Sequence, residues 1–118
     1  MTRYLMLLAY EPTDWDAFSP QEQDKFFRQH RRFEAYVDER GRRRESAALA
    51  DSTTATTVRH VEGAATVTDG PFAETTEMIG GYYDVDLPDL DTAITAAKLL
   101  PRGYAVEIRP TITIEGYE

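Results

Sequence analysis

Asp69-Gly70-Pro71-Phe72-Ala73-Glu74-Thr75-Thr76-Glu77, followed closely by Ile79-Gly80-Gly81-Tyr82-Tyr83, is the stretch around which the rest of the chain is arranged. A β-like run, Ala64 to Thr68, feeds it, and another, Ile79 to Leu87, leaves it. Asp-Gly-Pro is turn chemistry: Gly70 permits positive φ, while Pro71 fixes its own φ and biases Gly70 away from the right-handed helical region. The stretch therefore reads as a rigid loop carrying three carboxylates, Asp69, Glu74 and Glu77, and one aromatic, Phe72. Taken alone, it also fits a solvated acidic loop of the kind common on protein surfaces. Downstream of it, alternation places Ile79, Gly81, Tyr83, Val85 and Leu87 on one strand face, with Gly80, Tyr82, Asp84 and Asp86 on the other.

Outward from this centre, the flanking segments identify themselves by period and by punctuation. Residues 3–10 are an apolar run with no polar alternation after Arg3, as in a strand covered on both faces. Trp15 and Phe18, in the loop from Glu11 to Phe18, are expected to fold back onto the body. Ser19-Pro20-Gln21-Glu22 is a helix start, with Ser19 as N-cap, proline in the first turn and Glu22 closing a capping box. Phe26, His30, Phe33 and Val37 then recur at helical spacing until Gly41, which predicts a helix over about residues 20–40.

The spacing predicts a short extended piece over Ser46–Leu49 and a hairpin formed by Thr56–Val61 and Ala64–Thr68 about Glu62-Gly63. A second helix is expected over residues 90–100, with Leu90, Ala93, Ile94, Ala97 and Leu100 as its packing stripe, stopped by Pro101. A final alternating strand is expected over Tyr104–Ile114, at a sheet edge or bent, because Pro110 lies within it.

The totals bound the function. The 118 residues amount to one domain, 1–118, able to bury a core unaided, and without cysteine the chain has neither disulfides nor thiolate chemistry. The apolar start is too short to span a bilayer and Glu11-Pro12 ends it, so the reading is a cytoplasmic protein with no membrane segment. A formal net charge of −8 argues against direct nucleic-acid binding. The charge is segregated, however. Eight of the 13 basic residues lie between Lys25 and Arg44, while residues 46–118 hold 12 acidic side chains against four basic ones. That pattern fits a solvated helix face ending in a basic loop; a patch for an anionic ligand or partner is the alternative.

With only two helices available, the element order predicts an α+β fold: a ferredoxin-like antiparallel sheet with both helices on one face. Two helices cannot cover both sheet faces. The apolar first strand and the tyrosines Tyr82 and Tyr83 therefore imply a homodimer through the exposed sheet faces, in the manner of dimeric α/β barrels.

The block Asp69 to Glu77, with Gly80-Gly81-Tyr82-Tyr83 and the closing Val106-Glu107-Ile108-Arg109-Pro110, closely resembles the DGPF branch of the YCII-related family. The resemblance covers nearly the whole chain, from the Tyr4–Leu8 run through the alanine-rich second helix. Thr76 stands where the branch usually carries Lys. What the resemblance implies is a ferredoxin-like domain forming a dimeric α/β barrel, with an active-site pocket and no established general reaction. Some members of the wider family act in breakdown of chlorinated aromatics, and others occur beside or fused to transcription sigma factors. The wider family is proposed to pair a first-helix histidine with an aspartate, and His30 has the spacing of that histidine. The aspartate would precede the proline after the second helix, where this chain has Leu100-Pro101, so the dyad is incomplete here.

Two functions follow as expectations. In the first, the chain is a small-molecule-binding or accessory module, with a transcription factor among its possible partners; the basic cluster Arg40 to Arg44 and the broken dyad point this way. In the second, it is a cofactor-independent lyase or isomerase acting on a small aromatic or lactone-type molecule. There His30 moves the proton, Asp69 orients it, and Phe72, Tyr82 and Arg109 bind the substrate. Each residue has a structural alternative: His30 as a hydrogen-bonded pocket wall, Asp69 as a cap on its own turn, Arg109 as the ion-pair partner of Glu107. No cofactor and no metal is expected, since Glu74 and Glu77 lack a nearby histidine pair.

Overall fold

The structure is a computed structural model and describes residues 1–117. Strand β1 (Thr2–Tyr10) leads through a 3₁₀ turn at Trp15–Ala17 into helix α1 (Pro20–Arg40). Strand β2 (Arg42–Ala48), a second 3₁₀ turn at Ser52–Thr54 and the hairpin β3 (Thr56–Val61) and β4 (Ala64–Asp69) follow. Strand β5 (Met78–Leu87), helix α2 (Leu90–Ala97) and strand β6 (Ala105–Pro110) complete the order.

Four strands form an antiparallel sheet in the order β2-β5-β1-β6, so the fold is α+β and consistent with a ferredoxin-like arrangement. The register shows how one core is assembled. Met6 lies opposite Tyr83 and Ile108, and Tyr4 lies opposite Val85, so the buried side chains of β1 and β5 share a face. Phe33 and Val37 of α1 join Ala93 and Ala96 of α2 in the same buried cluster, placing both helices on that face. Burying Phe33, Met6, Leu87, Val37 and Val85 completely is worth ~2 kcal/mol each in transfer free energy.

α1 begins as its sequence predicts. The Ser19 hydroxyl accepts from the Glu22 amide at 3.1 Å and the Glu22 carboxylate accepts from the Ser19 amide at 3.1 Å. Trp15 does fold back, its ring centroid 5.2 Å from that of Phe26 and 5.4 Å from that of Phe27.

Three expectations are corrected. The basic stretch after Gly41 is an edge strand rather than a loop: β2 runs from Arg42, pairs with β5 from Asp86 to Gly81, and has every residue exposed. Its partners are hydrogen bonds and carboxylates, so hydrophobic periodicity could not reveal it. The last strand stops at Pro110; Thr111 still donates to the Arg3 carbonyl at 2.8 Å, but residues 111–114 form no strand. The second helix ends at Ala97 rather than 100, and it buries Ala93 and Ala96; Leu100 is buried from the turn that follows, while Leu90 and Ile94 are exposed.

The Gly80-Gly81 pair is a close-approach device. A Cβ on Gly80 would lie 1.9 Å from the ring of Tyr10, and one on Gly81 would lie 2.9 Å from the Ala47 carbonyl oxygen. The β1–β5 register shifts here, between Leu8 and Ala9, leaving a bulge at the end of the sheet. The hairpin β3–β4 forms its own two-stranded sheet and stands out as an arm; of its strand residues only Thr57 is not exposed.

Candidate functional site

His30 lies on the inner face of α1, four residues before Glu34 and therefore one turn from it. Its ring is half-buried between Phe26 and Tyr104, with centroids 4.8 Å and 5.5 Å away. Nδ1 lies 2.7 Å from the Tyr83 hydroxyl and Nε2 lies 3.0 Å from the Tyr104 hydroxyl. Tyr83 comes from the centre of β5, and Tyr104 stands just before β6 after the turn that follows Pro101. The Tyr83 hydroxyl donates to Glu34 Oε2 at 2.9 Å, and Glu34 Oε1 lies 3.3 Å from Arg43 Nη1. Arg43 in turn grips Asp38 with two hydrogen bonds of 2.9 Å and 3.0 Å.

Burial sets the electrostatics. It pushes the His30 imidazole below its ordinary value, with the nearby Glu34 charge opposing, so the ring is neutral near pH 7. Burial first, then the Glu34 hydrogen bond, raises the Tyr83 phenol well above its usual value. Tyr104 is pushed up to about 12, chiefly by burial, with Tyr10 adding to it. Neutral imidazole between two neutral phenols can accept a proton at one end while donating one at the other.

The other anticipated residues lie elsewhere. Both His30 nitrogens are engaged by tyrosines, and Asp69 is not a partner of either. Asp69 ends β4 opposite Thr56 and is exposed. Tyr82 and Arg109 lie on the open face of the sheet, away from α1: Leu7 is opposite Tyr82, and Leu5 is opposite both Asp84 and Arg109. Within one chain, therefore, Tyr82 and Arg109 do not converge with His30. Arg109 pairs with Glu107 at 3.2 Å, an exposed contact worth little. Glu74 and Glu77 are exposed and non-helical, so they share no helical face, and His60 is exposed on β3. Among the described residues no three His, Asp or Glu side chains converge as metal ligands. The basic cluster is largely neutralised in place. Arg44 donates to Asp86 at 2.9 Å, Arg42 lies 3.8 Å from the same carboxylate, and Arg3 on β1 grips Asp84.

Phe72 has a defined setting. Gly70 takes φ +101°, its amide donates to the Ala55 carbonyl at 2.7 Å, and its own carbonyl accepts from the Thr57 hydroxyl at 2.8 Å. Arg59 donates to the Phe72 carbonyl at 2.6 Å. These bonds hold the loop over a cleft of about 520 Å³ walled by Leu49, Ala55, Pro71, Phe72, Met78 and Ile79, with Asp51 and Glu77 also in the lining. A second hollow of about 230 Å³ shares Asp51, Met78 and Ile79 and extends to Tyr10. The Tyr10 ring meets that of Tyr104 edge-on at 6.1 Å, so aromatic packing links this hollow to the His30 network.

The partners of His30 were not assigned from sequence. Glu34 carried a signal, its i+4 spacing from His30. Tyr83 carried a weaker one, its place on the core face of β5. Tyr104 and Arg43 carried none.

Comparison with known proteins adds two findings. A family model described as the YCII-related domain matches residues 2–113. An uncharacterized protein from Rhizobium meliloti (strain 1021) is 33% identical over 111 residues, covering 91% of this chain and 90% of that protein.

Proposed function

This chain belongs to the YCII-related domain family, and from that premise we propose that it is a homodimeric small-molecule-binding protein whose ligand sits in the cleft beside the Asp69–Glu77 loop. The observation that carries the reading is the cleft itself. Its volume, about 520 Å³, is in the range of small-ligand sites, and its walls are mainly apolar. Phe72 at 73% and Ile79 at 45% exposure are large apolar side chains that a ligand would cover. Asp51 and Glu77 favour a flat apolar or aromatic molecule with a hydrogen-bond-donating head. Titration with the neutral aromatic amine N-phenyl-1-naphthylamine, followed by its fluorescence, tests this. Saturable binding with one site per chain is expected, weakened about tenfold or more in Phe72→Ser, which removes an exposed ring and leaves the core intact. Absence of saturable binding, or equal affinity in the variant, refutes the reading.

The dimer half of the proposal rests on the open sheet face. Leu5, Leu7 and Tyr82 are half-buried there with no helix over them, and the Arg3–Asp84 pair is neutralised within the chain. Packing this face against a second copy makes a dimeric α/β barrel and puts Tyr82 and Arg109 at the interface. Sedimentation velocity is expected to show a dimer that Leu7→Glu converts to monomer; a wild-type monomer at micromolar concentration counts against it.

A second reading is favoured by the tyrosine–histidine–tyrosine chain: cofactor-independent acid–base chemistry, lyase or isomerase in type, with His30 as the proton acceptor. It requires that any turnover found in a substrate screen disappear in His30→Ala.

A further inference from the structure

The side chains around His30 constrain where its proton sits. Glu34, as a carboxylate held beside Arg43, has only acceptor oxygens, so the 2.9 Å contact with Tyr83 must use the Tyr83 hydroxyl proton. A phenol has one proton. The 2.7 Å contact between Tyr83 and His30 Nδ1 must then be filled from the histidine side, by an Nδ1–H. The neutral ring carries no second proton, so Nε2 is a bare acceptor, and the 3.0 Å contact there is donated by Tyr104.

We infer that Glu34, anchored by Arg43, is a positioning residue that acts through Tyr83 to lock His30 in its Nδ1–H tautomer, giving a directed relay from Tyr104 through His30 and Tyr83 to Glu34. Glu34 does this without touching the ring. Tyr104 is the outer end of the relay: it is half-buried where Tyr83 is buried, and its ring lies edge-on to Tyr10, which lines the small hollow. The relay deepens the acid–base reading above. A substrate proton binds to the Tyr104 oxygen, the Tyr104 proton passes to Nε2, and the electron pair of the broken bond stays on the substrate. The resulting imidazolium charge is opposed by Glu34, two hydrogen bonds away through Tyr83. The groups facing the ring are Phe26 and Glu34 from its own helix, Tyr83 from β5 and Tyr104 before β6, with Arg43 of β2 behind Glu34 and Tyr10 of β1 behind Tyr104.

The test is the ring tautomer, which needs no substrate, so failure of the relay and failure of the acid–base reading are separate results. Long-range proton–nitrogen correlation spectra of ¹⁵N-labelled protein at neutral pH are expected to show Nδ1 protonated and Nε2 bare in the wild type. Tyr83→Phe keeps the buried ring and removes the bridge; Glu34→Ala removes the anchor while Arg43 keeps Asp38. In each, the Nδ1–H form is expected to give way to a mixture or to Nε2–H. A wild-type ring that is not predominantly Nδ1–H overturns the inference, as does retention of the wild-type ratio in either variant. If Tyr83→Phe does not fold, the wild type and Glu34→Ala decide.

Discussion

Gly80→Ala tests the close packing where the sheet meets the site. The added methyl would start 1.9 Å from Tyr10 Cε1 and 2.9 Å from two further ring atoms, so the Tyr10 ring must leave its place. Moving it gives up the edge-on contact with Tyr104 at 6.1 Å, an arrangement worth about 1 kcal/mol beyond area burial. Overpacking of this kind adds roughly 1–3 kcal/mol, while relief of the glycine's chain entropy returns about 0.5 kcal/mol. The net expectation is a loss of about 2 kcal/mol in urea unfolding at constant m-value. Because the clash is with one side chain, it should disappear when that side chain is absent. In a Tyr10→Ala background the same substitution is expected to be neutral or slightly stabilising, a coupling of about 2 kcal/mol in the double-mutant cycle. Equal cost in both backgrounds, or no cost in the wild type, would refute the packing argument for Gly80.

Three further outcomes follow from the same contacts. Phe33→Ala, at a fully buried position where α1 meets Tyr83, is expected to cost about 3–5 kcal/mol, enough to leave a marginal domain partly unfolded by circular dichroism. Gly70→Ala, at φ +101°, is expected to cost roughly 1–2 kcal/mol, with hydrogen exchange in β3 and β4 accelerated more than in β1. Because the folded-state pKa of His30 lies below its unfolded value, the stability contributed by the neutral ring is fully present above about pH 6.5 and is lost as pH falls below that, down through the folded pKa. The slope of unfolding free energy against pH across that window should flatten in His30→Gln; an unchanged slope would assign it to other groups.

Much of the fold is legible in local sequence because local physics creates it. The capping box at Ser19 and Glu22 starts α1, and a 3.6-residue stripe buries Phe33 and Val37. Alternation along Ile79–Leu87 assigns Tyr83, Val85 and Leu87 to the core, and Asp-Gly-Pro announces a loop that does need positive φ at Gly70. Pro110 marks an edge strand, which β6 is. Where apolar periodicity is not the driving force, the reading falters: the first half of β2 is held by backbone pairing and arginine–carboxylate contacts, so Arg42 to Arg44 look like a basic loop, and only the end of the strand, from Ser46, reads as extended.

By itself, the sequence determined most of the elements, the two faces of the strand leaving the Asp69–Glu77 loop, and the family. Only the tertiary structure decided which side chains meet. It joins His30 to Tyr83 across 53 positions and to Tyr104 across 74, joins Tyr83 to Glu34 across 49, and leaves Asp69 on the arm and Tyr82 with Arg109 on the opposite face. The physical reason is range. Periodicity and caps record interactions within a turn or a strand, whereas a hydrogen-bond relay depends on how packed layers bring distant hydroxyls within 3 Å of one imidazole.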